Sequence, residues 1–302
     1  MLILANMKKY IYELLVKYEE EIERILDSST KKIYKLGELR TLFGDLEIFK
    51  PSDYRPLFRL KDLVGFLIKK KYLTSIKFQT PRTEILYIMN GANEYQLMIA
   101  LRPNGYYSHL SAMYLNGLIK QDSDMVYFNK EQPLRPSYSN LDQSRIDLAF
   151  KNKQRITSAR TEYNGKIFWL LSGKQTGNYG VIEKTLKGIK VPVTDLERTL
   201  IDIVVRPAYS GGVGQVLQAY KLARSFVSIE KLVETLHKLN YTYPYFQSVG
   251  FYIDKSGVYD SHEIQSLASY KKIIYDFYLD YQIDSPSYSK KWRVYYPKYL
   301  DK

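Results

Sequence analysis

Five charged side chains, Asp195, Glu197, Arg198, Asp202 and Arg206, fall within the otherwise apolar stretch VPVTDLERTLIDIVVRP, residues 191–207. Acids and arginines so close together can serve a catalytic site, a buried ionic lattice or a partner surface, and spacing separates these uses only in part. Thr194 followed three residues later by Glu197 has the form of a capping box, in which each side chain covers an unpaired N–H of the helix start. Asp195 then sits in the first turn, where negative charge suits the helix dipole. Arg198 and Asp202 stand four apart and can pair, Leu196, Leu200, Ile203 and Val204 supply an inward stripe, and Arg206-Pro207 ends the helix. Most of these charges thus have structural work, and the segment reads as an internal, ion-paired helix.

Other catalytic constellations are missing. The three histidines, His109, His237 and His262, show no HxxxH or HExxH spacing, so a histidine metal site is not expected. Ser108 and His109 are adjacent, which does not by itself bring one side chain to the other, and no triad can be read from them. The glycine-rich SGKQTGNYG (172–180) and SGGVG (210–214) match neither GxxxxGK[ST] nor GxGxxG and read as loop punctuation. A nuclease of the paired-carboxylate and lysine kind would need Asp254-Lys255 and a second acid, but YIDKSG reads as a hairpin turn. With no cysteine there is no disulfide, thiolate site or cysteine nucleophile. No catalytic residue, metal or cofactor is expected.

Binding chemistry is better represented. The formal charge of the 302-residue chain is +13, which favours a polyanionic partner. Residues 50–82 carry nine Lys or Arg against Asp53 and Asp62, whereas residues 1–49 carry eight basic and nine acidic groups. The positive field is therefore local. Arg55, Arg59, Lys61, Lys69, Lys70, Lys77 and Arg82 are its candidate DNA contacts, with Lys71 beside them and a second basic set at Lys151, Lys153, Arg155 and Arg160.

The elements that would carry these residues follow from periodicity. Ile11, Leu14, Leu15, Tyr18, Ile22, Ile25 and Leu26 form a helical stripe over about 8–27, with Glu19, Glu20, Glu21 and Glu23 on its solvated face. KLGELRTLF gives a shorter helix stopped by Gly44. A third begins near Pro56, with Leu60, Leu63, Val64, Leu67 and Ile68 inward. LTSIKF and TEILYIM read as a hairpin around QTPR. Three helices and a basic hairpin follow the order of a winged helix-turn-helix, whose last helix enters the major groove while the wing lies along phosphates. From residue 93 a larger unit is expected. Ser108 caps a helix to Gly117, MVYFNK, RIDLAF, KIFWLLSG and YGVIEK are strands, VGQVLQAYKLARSF and IEKLVETLHKLN are helices, and the tail from GFYIDKSG to WRVYYP is aromatic-rich strand. The expected class is α+β: a winged helix-turn-helix over 1–92 and a larger α+β domain over 93–302.

At 45% hydrophobic residues the chain can bury a core. No run approaches a membrane span, and MLILANMKKY is too short and badly flanked for a signal peptide, so a cytoplasmic protein without membrane contact is expected. The thirty tyrosines are explained most simply by an A/T-rich coding sequence.

RPNGYYSHLSAMYLNGL (102–118), VPVTDLERTLIDIVVRPAYSGGVGQVLQAYKLA (191–223) and the segment from VGFYIDKSG to WRVYYP resemble the AbiEi antitoxin family, predicted regulators of bacterial abortive-infection systems. The likeness spans nearly the whole chain. It implies a two-domain antitoxin whose N-terminal winged helix represses its own operon at inverted repeats. Its C-terminal domain would counteract a nucleotidyltransferase-like AbiEii toxin without a stable complex, the type IV pattern of phage defence. Ser108, His109, Asp195, Glu197, Arg198, Asp202 and Arg206 lie in the matching motifs. A nuclease with a winged-helix targeting domain and a ligand-sensing transcription factor are the competing readings.

Overall fold

The computed structural model describes residues 2–49, 58–79, 83–134 and 141–302. It is a mixed α+β chain forming two compact units. One comprises Met1–Pro103 with Ala159–Asn164, the other Asn104–Ser158 with Gly165–Lys302.

In the first unit the expected opening helix is two, α1 (Leu2–Lys17) and α2 (Glu19–Ser28), separated at Tyr18. Glu19, Glu20 and Glu21 occupy the first turn of α2, where their charge favours a new helix start. Not all of that acidic run is simply solvated: Glu19 accepts from Lys70 Nζ at 2.8 Å and Tyr72 Oη at 3.0 Å. After β1 (Ile33–Tyr34) comes α3 (Leu36–Leu42), with the Glu38 carboxylate accepting the Lys35 N–H at 2.7 Å. The expected start at Pro56 lies outside the described residues, and α4 runs from Leu60 to Lys69. Its buried face is Leu63, Val64, Phe66 and Leu67, whereas Ile68, expected inward, is exposed. Strands β2 (Leu73–Phe78) and β3 (Glu84–Met89) pair antiparallel, giving a sheet of order β1-β3-β2. Leu39, Phe43, Leu46, Leu63 and Leu67 are fully buried beneath it.

The first unit extends beyond the expected boundary at residue 92. It takes in α5 (Gln96–Leu101), where Lys35 Nζ donates to Leu101 O at 3.1 Å and Arg102 Nη1 to Glu84 Oε2 at 2.8 Å.

The second unit begins with β4 (Tyr106–Tyr107), α6 (His109–Leu115), β5 (Met125–Glu131) and α7 (Gln143–Lys151). RIDLAF is therefore helix and not strand. Ile146 and Phe150, four apart, are both buried, and Asp142 caps the start by accepting from Arg145 N at 2.9 Å. The chain then contributes β6 (Arg160–Tyr163) to the first unit, where Thr161 Oγ1 donates to Lys77 O at 2.8 Å. Strands β7 (Lys166–Gly173), β8 (Val181–Leu186) and β9 (Ile189–Thr194) return to the second unit, which orders its strands β7-β5-β4-β9-β8. The β5–β7 and β4–β9 pairs are parallel. The β8–β9 hairpin turns on Lys187 (φ 49°) and Gly188 (φ 79°), the two left-handed positions that a two-residue turn of matching twist requires.

Helix α8 (Leu196–Val205) is followed by α9 (Val213–Ala223), α10 (Ile229–Leu239), α11 (Tyr245–Ser256) and α12 (Ser261–Tyr270). GFYIDKSG, expected as strand and turn, lies in α11 and ends at the left-handed Gly257 (φ 70°). Period alone misleads here, because α11 buries ten of its residues and has no polar face to reveal it. Gly250 lets α11 lie against the Trp292 ring, which a Cβ would meet at 2.1 Å. The tail forms β10 (Phe277–Tyr278), β11 (Pro286–Ser289) and β12 (Val294–Pro297), ordered β10-β12-β11. Asp254 accepts from Trp292 Nε1 and pairs with Lys291, both at 2.9 Å, and Lys255 pairs with Asp301. The Asp-Lys pair considered for nuclease chemistry is thus engaged in structure.

Candidate functional site

Basic side chains of the first unit gather around α4. Lys61, Gly65 and Lys69 recur every four residues and are exposed, while the opposite side of the helix is core. A groove of about 240 Å³ between α1 and α4 is lined by Lys8, Arg59, Lys61 and Lys69. Lys69 Nζ stands 4.0 Å from the centre of the Tyr12 ring, and Arg59 Nε pairs with Asp62 at 3.3 Å. Lys77 and Lys71 are exposed on or beside β2. Lys70 differs: its ammonium is spent on Glu19. Arg55 and Arg82 lie outside the described residues.

In the second unit the residues of VTDLERTLIDIVVRP form a buried polar lattice. The helix cap falls one residue later than expected. Asp195 is the N-cap and accepts from Arg198 N at 2.9 Å, while Thr194 Oγ1 meets Thr199 Oγ1 at 2.8 Å. Glu197 therefore does not close a box with Thr194. Its carboxylate accepts from Ser228 N at 3.1 Å and Lys231 Nζ at 2.8 Å, and Lys231 also reaches Asp195 at 2.9 Å, tying α8 to α10. The expected Arg198–Asp202 pair forms at 2.8 Å with both side chains buried. The other Arg198 donors reach Thr176 Oγ1 at 3.0 Å, Tyr179 O at 2.8 Å and Tyr106 Oη at 3.3 Å. Spread over a guanidinium's fixed fork, these partners hold one geometry.

Around that pair the lattice recruits residues that no sequence spacing indicates. Tyr106 Oη accepts from Asn129 Nδ2 at 2.7 Å and donates to Glu131 at 3.1 Å, and Glu131 accepts from Thr176 N at 2.8 Å. Tyr241 hydrogen-bonds Asp202. Two glycines make room. A Cβ on Gly180 (φ 72°) would lie 2.9 Å from Arg198 Cβ, and one on Gly173 would lie 2.6 Å from the Asn129 amide. SGKQTGNYG is thus more than punctuation, because it wraps the arginine.

Ser108 occupies the N-cap position of α6 without a side-chain cap bond; its Oγ lies 2.9 Å from His109 Nδ1. Sequence adjacency did not predict this contact, which the unusual backbone of His109 (φ 52°) accompanies. Burial first, then the Arg206 and Arg198 charges, push the His109 pKa down to about 3. His109 also meets Tyr209 edge-on at 5.6 Å. A neutral buried imidazole of this kind contributes stability fully above its unfolded pKa near 6.5, and loses it as pH falls toward the folded value. Unfolding free energy is expected to fall by up to roughly 1.4 kcal/mol per pH unit in that interval. The variant His109→Asn, whose side chain tolerates the left-handed backbone, should lose this part of the slope in urea titrations at pH 7 and 5.5. Parallel pH dependences in the two proteins would contradict the assignment.

Among the described residues no group of three or more His, Cys, Asp or Glu could hold a metal ion. No helix among them is long and apolar enough to cross a membrane. Neither family models nor curated proteins match the chain. A solved structure does: "Crystal structure of RV2827C protein from Mycobacterium tuberculosis" aligns with a TM-score of 0.60, covering 92% of this chain and 90% of that one at 10% identity. The likeness is one of fold.

Proposed function

We propose that this chain is a DNA-binding antitoxin and autorepressor that counteracts a nucleotidyltransferase-like toxin in type IV phage defence. The observation that carries the DNA-binding part is the exposed basic face of α4, followed directly by the β2–β3 hairpin. In this reading the first unit is a winged helix-turn-helix. Helix α4 lies in the major groove of an inverted-repeat operator, and Lys77 approaches a phosphate from the wing. The antitoxin part rests on the sequence resemblance to the AbiEi family. The buried lattice around Arg198 then serves as the scaffold of the protective unit, because its charges already satisfy one another. Protection without a stable complex would take place in the cytoplasm.

The test pairs two measurements. The chain is expected to retard a duplex spanning its own promoter, and to restore colony formation when co-expressed with a nucleotidyltransferase-like toxin of the AbiEii kind. Failure to rescue would overturn the antitoxin reading. Cleavage of nucleic acid by the purified chain, abolished by EDTA, would replace it with a nuclease.

A further inference from the structure

A cleft of about 690 Å³ opens within the second unit, beside the C-terminal end of α8. Its volume falls in the range of small-molecule sites. Arg198 and Asp202 reach its wall but neutralise each other. Three further cations, Arg155, Lys174 and Arg206, also line it. Among the described residues none of the three has an ion-pair partner. Arg206 is half-buried at the C-cap of α8, with Nη1 only 3.4 Å from Arg155 O. Lys174 Nζ donates to the Leu239 carbonyl at 2.8 Å and to the Asn240 carbonyl, and stands 5.2 Å from the centre of the Tyr241 ring. Arg155 and Lys174 are exposed at the mouth, whereas Arg206, half-buried without an acid, leaves an electrostatic cost that an incoming anion removes. The field is felt locally: burial and then Arg198 lower the Lys174 pKa.

Tyrosine rings form the rest of the wall. Tyr281 stacks on Phe150 at 4.6 Å between ring centres, and Tyr243 meets the same Phe150 edge-on at 5.9 Å. Both rings are held from behind, so a planar group could dock on them at little cost in side-chain order.

We infer that this cleft binds a small phosphorylated molecule bearing an aromatic ring, of the nucleoside-monophosphate class, with Arg206 and Arg155 on the phosphate and Tyr243 and Tyr281 against the base. A bare polyanion would use the cations and leave the rings idle, and a duplex is too wide to enter. The inference is independent of the DNA-binding reading, which concerns the other unit.

Calorimetric titration of the full chain with AMP, GMP, CMP and UMP, and with adenosine and inorganic phosphate alone, tests it. At least one nucleotide is expected to bind roughly tenfold or more tighter than either fragment. Arg206→Gln should weaken that nucleotide roughly 10- to 100-fold, the loss of one charge-assisted hydrogen bond, with a melting temperature no lower than that of the parent. If that variant fails to fold, Arg155→Gln gives the same readout. Three results would each overturn the proposal: no nucleotide binding at millimolar concentration, equal affinity in the folded variants, or phosphate binding as tightly as any nucleotide.

Discussion

Arg198→Met is expected to destabilise the second unit by about 3–5 kcal/mol, because it strands a buried carboxylate. Asp202 is 7% exposed at its side chain and loses its 2.8 Å partner, while Thr176 Oγ1 and the Tyr179 carbonyl lose donors as well. Set against the roughly 5–15 kcal/mol that holds a domain together, that loss brings the unit close to unfolding. Removing both charges should be milder. Arg198→Met with Asp202→Leu replaces the pair by apolar groups of similar volume, a change often neutral or favourable. Burial already raises the Asp202 pKa above its ordinary value, against the pull of Arg198. Without the arginine it rises further, so a proton stabilises the folded single variant. Its deficit relative to the double variant should therefore be smallest in acid, and grow as pH rises through the folded-state pKa of Asp202. Urea unfolding of the three proteins between pH 4 and 8, roughly spanning the carboxylate-to-neutral range, measures this directly. A single variant as stable as the parent but without protective activity would make Arg198 a functional group instead of a structural one.

Why the sequence reveals some of this and hides the rest follows from the range of each interaction. The Arg198–Asp202 pair was legible because both partners lie on one helix, four residues apart, and the α8 stripe fixes which way they face. Tyr106, Asn129, Glu131 and Thr176 were not, since they meet Arg198 only after the strands of the second unit assemble. The cap was misplaced by one residue because Thr194 and Asp195 are both good caps, and tertiary bonds chose between them. Thr194 is drawn to Thr199, and Asn116 donates to the Thr194 carbonyl at 2.9 Å. Glu197, the reciprocal half of the expected box, is held by Lys231 from another helix. RIDLAF alternates apolar and polar residues and GFYIDKSG is aromatic-rich, both marks of a strand, yet both are helices whose packing overrides β-propensity. In the first unit, the hairpin and the third helix were legible from local signals. The fate of Lys70 was not, because its partner Glu19 is 51 residues away.

Duplex affinity of the full chain is expected to drop about a thousandfold between 50 and 200 mM salt if six cations each neutralise one phosphate, a slope near −0.9 per contact. Arg59, Lys61, Lys69 and Lys77 are exposed among the described residues, and Arg55 and Arg82 complete that set from the sequence. These positions should not behave alike. Lys61 has no ion pair among the described residues, so Lys61→Ala should flatten the slope by about one contact and weaken all sequences equally. Lys70 already serves Glu19 at 2.8 Å. Lys70→Ala should therefore leave the salt slope nearly unchanged, and act instead by freeing a glutamate at the start of α2. Arg59 lies between these extremes, since its bond to Asp62 at 3.3 Å is more than half exposed on the arginine side and easily exchanged for a phosphate. Fluorescence anisotropy on a labelled promoter duplex across four salt concentrations gives all the slopes. A Lys70→Ala slope as shallow as that of Lys61→Ala would mean that Lys70 leaves Glu19 for the duplex. Affinity indifferent to salt would remove the basic face of α4 from DNA binding altogether.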